Sequence, residues 1–197
     1  FFGCEQLTEL HLPDSVTVLG KSALERMGSL QTLTLSRQLS ATPENMCSNC
    51  FSLRQIAIPA ECTKIGKAAF LGCRGLESIE WNQKLTEIEE SAFKSCLKIE
   101  KLTLPEGITT IGKQAFLGMD SMTEITLPST FTEFKADTLA DLFESFDNDS
   151  TVKLQAINIA PGNSRFYSED GLVYEGQTLV YIPQGLAQVS VKAGTEI

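Results

Sequence analysis

Histidine is nearly missing from this sequence: the 197-residue chain holds one, His11, alongside a single tryptophan, Trp81, and six cysteines. Acid–base and metal chemistry draw on imidazole and thiolate, so there is little material for either. Positive charge is also short. Lys and Arg total 16 against 25 Asp and Glu, a formal net charge of −9, and no basic block occurs. A protein that tracks phosphates needs the opposite sign, which argues against nucleic acid as a partner. No apolar run reaches the 18 or so residues that a membrane helix requires, so no membrane span is expected. With 42% hydrophobic and 21% charged residues the composition is globular, and the length suits one domain or two small ones. The chain starts at Phe1 without a charged leader, and both ends fall inside a repeating pattern. It is therefore expected to be a piece of a longer protein, and the missing signal peptide says nothing about compartment.

What is present is repetition. Stepping by 23 from Phe1 gives Phe1, Leu24, Cys47, Phe70, Phe93 and Phe116. Three residues on lie Cys4, Met27, Cys50, Cys73, Cys96 and Met119. Six more apolar columns start at Leu7, Leu10, Leu12, Val16, Leu19 and Ala23. Over six copies these eight columns hold 48 positions, of which 46 are apolar; Thr42 and Thr138 are the exceptions. Bulk composition would give about 20, so the register is not accidental. A 23-residue unit cannot bury eight side chains alone, whereas stacked units cover one another and leave only the two ends open.

Each unit carries readable local signals. In Leu7-Thr8-Glu9-Leu10-His11-Leu12 the alternation points Leu10 and Leu12 inward and Glu9 and His11 outward, as in a strand. Proline follows at Pro13, Pro59, Pro105 and Pro128, where it ends pairing because it has no N–H to donate. A second short extended piece, as in 108–111, has Thr or Ser at its second position in every copy. Residues 112–118 read as a tight helical turn entered and left at glycine, with Ala115 small where backbone layers approach.

The run Leu7xxLeu10xLeu12 and its successors match the LxxLxL core of leucine-rich repeats, without the Asn that usually follows. The longer pattern LxxIxLPxxxxxIGxxAFxxC, nearly unbroken from Leu53 to Cys73, resembles the BspA-like (Treponema-type) leucine-rich repeats of bacterial surface proteins. The resemblance covers residues 1–138. It implies an α/β, right-handed leucine-rich-repeat solenoid of 23-residue coils, each with a short strand, a second short strand and a short helical turn. Residues 139–160 read as a degenerate seventh repeat with an acidic insertion through Asp147-Asn148-Asp149, and residues 161–185 as a β-hairpin insert turning at Glu175-Gly176-Gln177. Residues 186–197 look like the opening of a further repeat, cut off. The whole of 1–160 is then one solenoid domain. The resemblance also implies an extracellular or cell-surface, non-enzymatic protein of a host-associated bacterium, used in adhesion or recognition.

Each residue cluster with site-like spacing also has a packing or solvent-exposed reading. Cys47-Ser-Asn-Cys50 has redox or half-zinc spacing, but both cysteines fall in apolar columns with no second pair or nearby His. Cys50, Cys73 and Cys96 stack on consecutive coils with parallel side chains, so reduced, packed thiols are expected throughout. The acidic run lacks the Gly and Glu of a calcium loop, having Val152 and Asn158 there, and Asn148-Asp-Ser150 is a glycosylation sequon only in a eukaryotic secretory pathway. Trp81 in an inward strand column is either packing or a contact residue at the rim.

The outward strand positions form two ladders: Glu9, Thr32, Gln55, Ser78, Lys101 and Glu124, and His11, Thr34, Ala57, Glu80, Thr103 and Thr126. These, apart from Ala57, are the candidate partner-binding residues, because a rigid array offers many contacts. They lack the Tyr, Trp and Arg of binding hot spots, so solvated surface is the competing reading. No catalytic residue, cofactor or metal site is expected. The partner is expected to be a protein or glycan, with the chain monomeric or weakly self-associating through its open ends. The alternative is a structural spacer carrying a separate functional domain.

Overall fold

A computed structural model describes residues 1–134 and 153–197. The coils of a right-handed solenoid expose two strand positions per turn. The first strand position is taken by β1 (Glu9–His11), β2 (Thr32–Thr34), β4 (Gln55–Ala57), β6 (Ser78–Glu80), β8 (Lys101–Thr103), β10 (Glu124–Leu127) and β12 (Ala156–Ile159). The second is taken by β3 (Ala41–Thr42), β5 (Lys64–Ile65), β7 (Glu87–Ile88), β9 (Thr110–Ile111) and β11 (Glu133–Phe134). Every pair within these sheets is parallel, and up to β11 partners are offset by 23 residues, as in Leu10 to Leu33 and Ile88 to Ile111. The acidic insertion, Leu139, Leu142 and Thr138 lie outside the described residues.

The second sheet is continuous across all five strands, in the order β11-β9-β7-β5-β3. Its recurrent Thr explains why. The hydroxyls of Thr63, Thr86 and Thr109 donate to the carbonyls of Ser40, Thr63 and Thr86, one coil earlier, at 3.1–3.4 Å. Each therefore doubles a backbone bond made by the same residue's N–H. The first sheet is broken into β1-β2, β4-β6 and β8-β10-β12. Trp81 directly follows β6, at the second break; its half-buried indole meets the Phe93 ring edge-on at 5.7 Å. Packing is therefore what Trp81 does here.

The periodic columns form one core. Phe70, Phe93 and Phe116 stack at 5.2 and 6.2 Å with rings within 11° of parallel, all fully buried. Each such ring contributes about 1.5–3 kcal/mol relative to exposure. The first coil is the exception: Phe1 is 63% exposed, Cys4 is exposed, and Leu7 and Leu10 are half-buried, since only one neighbouring coil covers them. Thr42, an outlier in its apolar column, is buried with its hydroxyl accepting the Gly66 N–H at 3.0 Å.

The expected helical turns are not helices. Among the described residues no helix forms. The turn over 66–73 alternates its amides: those of Ala69, Leu71 and Cys73 bond three residues back within the coil. Those of Ala68, Phe70 and Gly72 instead donate to Glu90, Ala92 and Lys94 of the next coil at 2.7–2.9 Å. An α-helix would bond every amide four residues back inside its own segment and leave none to tie coils together. Alternation needs left-handed residues at two positions per coil. These are Ser22, Asn45, Ala68, Ser91 and Gln114, and Gly3, Arg26, Asn49, Gly72, Ser95 and Gly118, with φ between +52° and +71°.

The C-terminal segment, expected to be one hairpin, makes three antiparallel strands: β13 (Phe166–Glu169), β14 (Leu172–Glu175) and β15 (Thr178–Tyr181). The additional turn is Asp170-Gly171, two left-handed residues joining Glu169 to Leu172, the geometry of a tight two-residue hairpin. This sheet packs on the last coil. Phe166 stacks on Phe131 at 6.4 Å, Val173 is fully buried, and the Ile157 N–H donates to Gly171. Within 186–197 the only pairing is a parallel bridge from Glu196 to Thr178.

Candidate functional site

The outward ladders follow from strand pleat. With Leu10, Leu33, Ile56, Ile79 and Leu102 turned to the core, the residues on either side must face solvent. Glu9, His11, Thr32, Thr34, Gln55, Ser78, Glu80, Lys101 and Thr103 are exposed; Glu124 and Thr126 are half-buried beside β12. In-register pairing sets Glu9 beside Thr32, His11 beside Thr34, Gln55 beside Ser78, Ala57 beside Glu80, Lys101 beside Glu124 and Thr103 beside Thr126. The structure thus assembles three blocks of the ladder and does not join them.

The blocks differ in chemistry. In the first, His11 bridges Glu9 through Nε2 at 2.7 Å and the Thr34 hydroxyl through Nδ1 at 2.9 Å. In the third, Lys101 Nζ donates to Glu124 at 2.9 Å and Asn158 donates to its other oxygen at 2.6 Å. The Lys101 ammonium holds the Glu124 carboxyl below its usual range. Between the first and second blocks runs a slot of about 310 Å³, walled by β2 and β4 and closed by Arg37, Pro59 and Glu80. Arg37 is held there by Asp14, whose carboxylate accepts both the guanidinium and the Arg37 backbone N–H, the latter at 3.0 Å.

The buried cysteines are packing and stapling groups, whereas Cys4, expected to pack in an apolar column, is not. All six are free thiols; Cys4 is exposed and the other five are buried. The thiols of Cys50, Cys73 and Cys96 donate to the carbonyls of Leu24, Cys47 and Phe70, each one coil earlier, at 3.2–3.4 Å. Burial pushes the Cys47, Cys73 and Cys96 thiols up, and Cys62 likewise. Cys50 is lowered by its neighbour Cys47. Among the described residues no group of three or more His, Cys, Asp or Glu is placed to hold a metal ion, and no helix is long and apolar enough to cross a membrane.

Two features escaped the sequence reading. Asn82 stands in the proline column, and its amide donates to the carbonyls of Pro59 and Cys62 while its oxygen accepts the N–H of Lys84 and Leu85. Asn163 repeats all four roles one coil from the end, on Pro128, Phe131, Arg165 and Phe166. For Asn82, Asn in place of Pro at the strand exit was the available signal; Asn163 lies three residues past Ala160, which follows β12 as Pro128 follows β10. The second feature is an edge between the turns and the first sheet, carrying Arg26, Phe51, Arg54 and Arg74, where two hollows of about 630 and 360 Å³ open on either side of the Phe51 ring.

Parallel 23-residue coils, an LxxLxL strand per coil and a continuous stacked core define a leucine-rich-repeat solenoid. A family profile described as a BspA type Leucine rich repeat region matches in six copies, over residues 1–59 and 40–169. The chain belongs to the BspA-type leucine-rich repeat family.

No curated protein sequence matches it. Among solved structures it is similar to the pneumococcal vaccine antigen PcpA, at a TM-score of 0.56 and 22% identity over 90% of this chain and 37% of that one. A T. pallidum leucine-rich repeat protein, TpLRR, matches at 0.52 and 24% identity over 61% of this chain and 52% of that one. A leucine-rich repeat protein from Eubacterium ventriosum matches at 0.58 and 15% identity, over 85% and 40%. The chain thus spans between 37% and 52% of the length of these structures, and at such identities the likeness is one of fold.

Proposed function

We propose that the solenoid is a non-enzymatic binding module that contacts a protein or glycan outside the cell through the outward face of its first sheet. The supporting observation is the in-register array itself: exposed Glu9, His11, Thr32, Thr34, Gln55, Ser78, Glu80, Lys101 and Thr103 stand on strands whose opposite face is buried. A rigid backbone lowers the ordering cost that binding incurs. Likeness to a vaccine antigen and membership of the BspA-type family support an extracellular or surface location. The same reading divides the chain into a solenoid over 1–160, an insert over 161–185 and the start of a further repeat.

The test is a set of charge reversals in the ladders, Glu80→Lys and Lys101→Glu, in the immobilised chain exposed to purified matrix proteins and a glycan array. Loss of at least tenfold in affinity, about 1.4 kcal/mol, with an unchanged melting temperature supports the reading. One observation favours a second reading, a spacer that positions another domain: none of the ladder residues is Tyr, Trp or Arg. A chain that captures nothing in either assay favours the spacer.

A further inference from the structure

Of the five arginines in this acidic chain, Arg37 is paired with Asp14 and Arg165 with Glu175 at 2.8 Å. Arg26, Arg54 and Arg74 have no carboxylate partner among the described residues, and all three are exposed on the edge between turns and first sheet. They share that edge with Phe51, an aromatic ring 47% exposed to solvent. The Arg74 guanidinium lies over the Phe51 ring at 5.5 Å, and Phe51 separates the two hollows. Gly28, one coil before Phe51 in the same column, lines the larger hollow, and a Cβ there would meet the ring at an ordinary contact distance of 3.7 Å.

From this geometry we propose that the edge is an anion-binding site for a linear glycan bearing carboxylate or sulfate groups. The inference rests on the binding-module reading but moves the contact from the strand ladders to the neighbouring edge. A guanidinium presents a planar fork of donors that fits carboxylate and sulfate bidentately, and stacking on a ring orders it while leaving those donors free. Arg26 and Arg74 are two coils apart, about 10 Å along the axis at about 4.8 Å per coil, roughly the length of two sugar rings. The turn-to-turn hydrogen bonds fix that spacing: the N–H of Arg26 donates to Ser48 and that of Asn49 to Leu71. Ser29, Gln31 and Ser52, on the coils between Arg26 and Arg74, and Gln6, one coil before Ser29, line the hollows with amides and hydroxyls suited to sugar hydroxyls. Opposing charge is limited. Glu5 lines the larger hollow, and Glu77 is bound to Lys98 of the smaller at 3.2 Å, which leaves Arg54 and Arg74 for the ligand.

The experiment is calorimetric titration of the whole 197-residue chain with a heparin-type hexasaccharide, a polygalacturonate hexamer, a neutral dextran oligomer and a poly-glutamate peptide. Binding of the first two, weakening as salt rises, with no response to dextran, is the expected result. Arg54→Glu with Arg74→Glu lowers affinity at least tenfold, Phe51→Ala lowers it several-fold, and Lys153→Glu with Lys192→Glu, the same change of charge at exposed positions elsewhere, leaves it unchanged. Melting temperatures confirm that each variant is folded. The proposal falls if neither anionic sugar binds at millimolar concentration, if the arginine variants bind like the parent, or if poly-glutamate binds as tightly as the sugars. Should the edge fail while ladder reversals still abolish partner capture, only this inference is lost. Should both be silent, the binding-module reading falls with it.

Discussion

Gly66 and Gly112 show how little room separates successive coils. A Cβ on Gly66 would lie 2.4 Å from the Thr42 carbonyl, and one on Gly112 would lie 2.4 Å from the Glu90 amide. Gly20 holds the same column with nothing within 4 Å. Gly112→Ala is therefore expected to cost about 1–3 kcal/mol and Gly20→Ala less than about 0.5, measured by urea unfolding. The opposite holds at Ala68, a residue with a side chain at φ +52°. Ala68→Gly relieves a left-handed strain of about 1–2 kcal/mol against a smaller entropic loss, so a higher melting temperature is expected. The thiols give a third outcome. A disulfide-exchange reagent should titrate one cysteine, Cys4, in the native chain and all six after unfolding.

The same thiols act at the scale of the element. Burial raises Cys73, Cys96, Cys47 and Cys62 above the ordinary value of 9.0, so the folded coils keep protons that the unfolded chain releases near pH 9. Their contribution is complete below that pH and is lost as the pH climbs from 9.0 toward the folded values; Cys50, shifted the other way, offsets part of it. Urea midpoints measured between pH 8 and 10.5 should fall above about pH 9. Replacing Cys73 and Cys96 by Ala should flatten that fall, though packing is lost at all pH.

The strands and their facing were legible because apolar side chains recur every second residue at 10 and 12 of each unit. The turns were not, because apolar spacing records which residues go inward and not where an amide sends its bond. Gly3, Asn45, Asn49, Gly72 and Gly118 carried the left-handed signal, but Ser22, Arg26, Ala68, Ser91, Ser95 and Gln114 in the same columns obscured it. The edge-on packing of Trp81 on Phe93 was hidden for a similar reason. Trp81 fills an inward column as well as Leu does, and hydrophobicity does not report its width. Of the candidate site, the exposure of Glu9 through Thr103 followed from the pleat. The unpaired state of Arg26, Arg54 and Arg74 depended on where carboxylates were absent in space.

Across the whole molecule, burial is uneven. The C-terminal sheet closes one end with Phe166 and Val173, whereas Phe1, Cys4 and Leu7 leave the other end wetter. Hydrogen exchange should find amides of the first coil fastest and those around Phe93 and Ile111 slowest, by orders of magnitude. Val173→Asp should spread fast exchange into β10 and β12, because a buried carboxylate there disrupts the sheet that covers them.

The amides of Ala68, Phe70 and Gly72, which reach across to the following turn, also govern how the chain responds to tension. A coil whose bonds are spent on its neighbour has no integrity once that neighbour is gone. Drawn apart by its two ends in an optical trap, the rod should unwind like yarn from a spool. Each winding lost from residues 1–134 pays out the same 23 residues, roughly 80 Å of slack, in a train of evenly spaced rips.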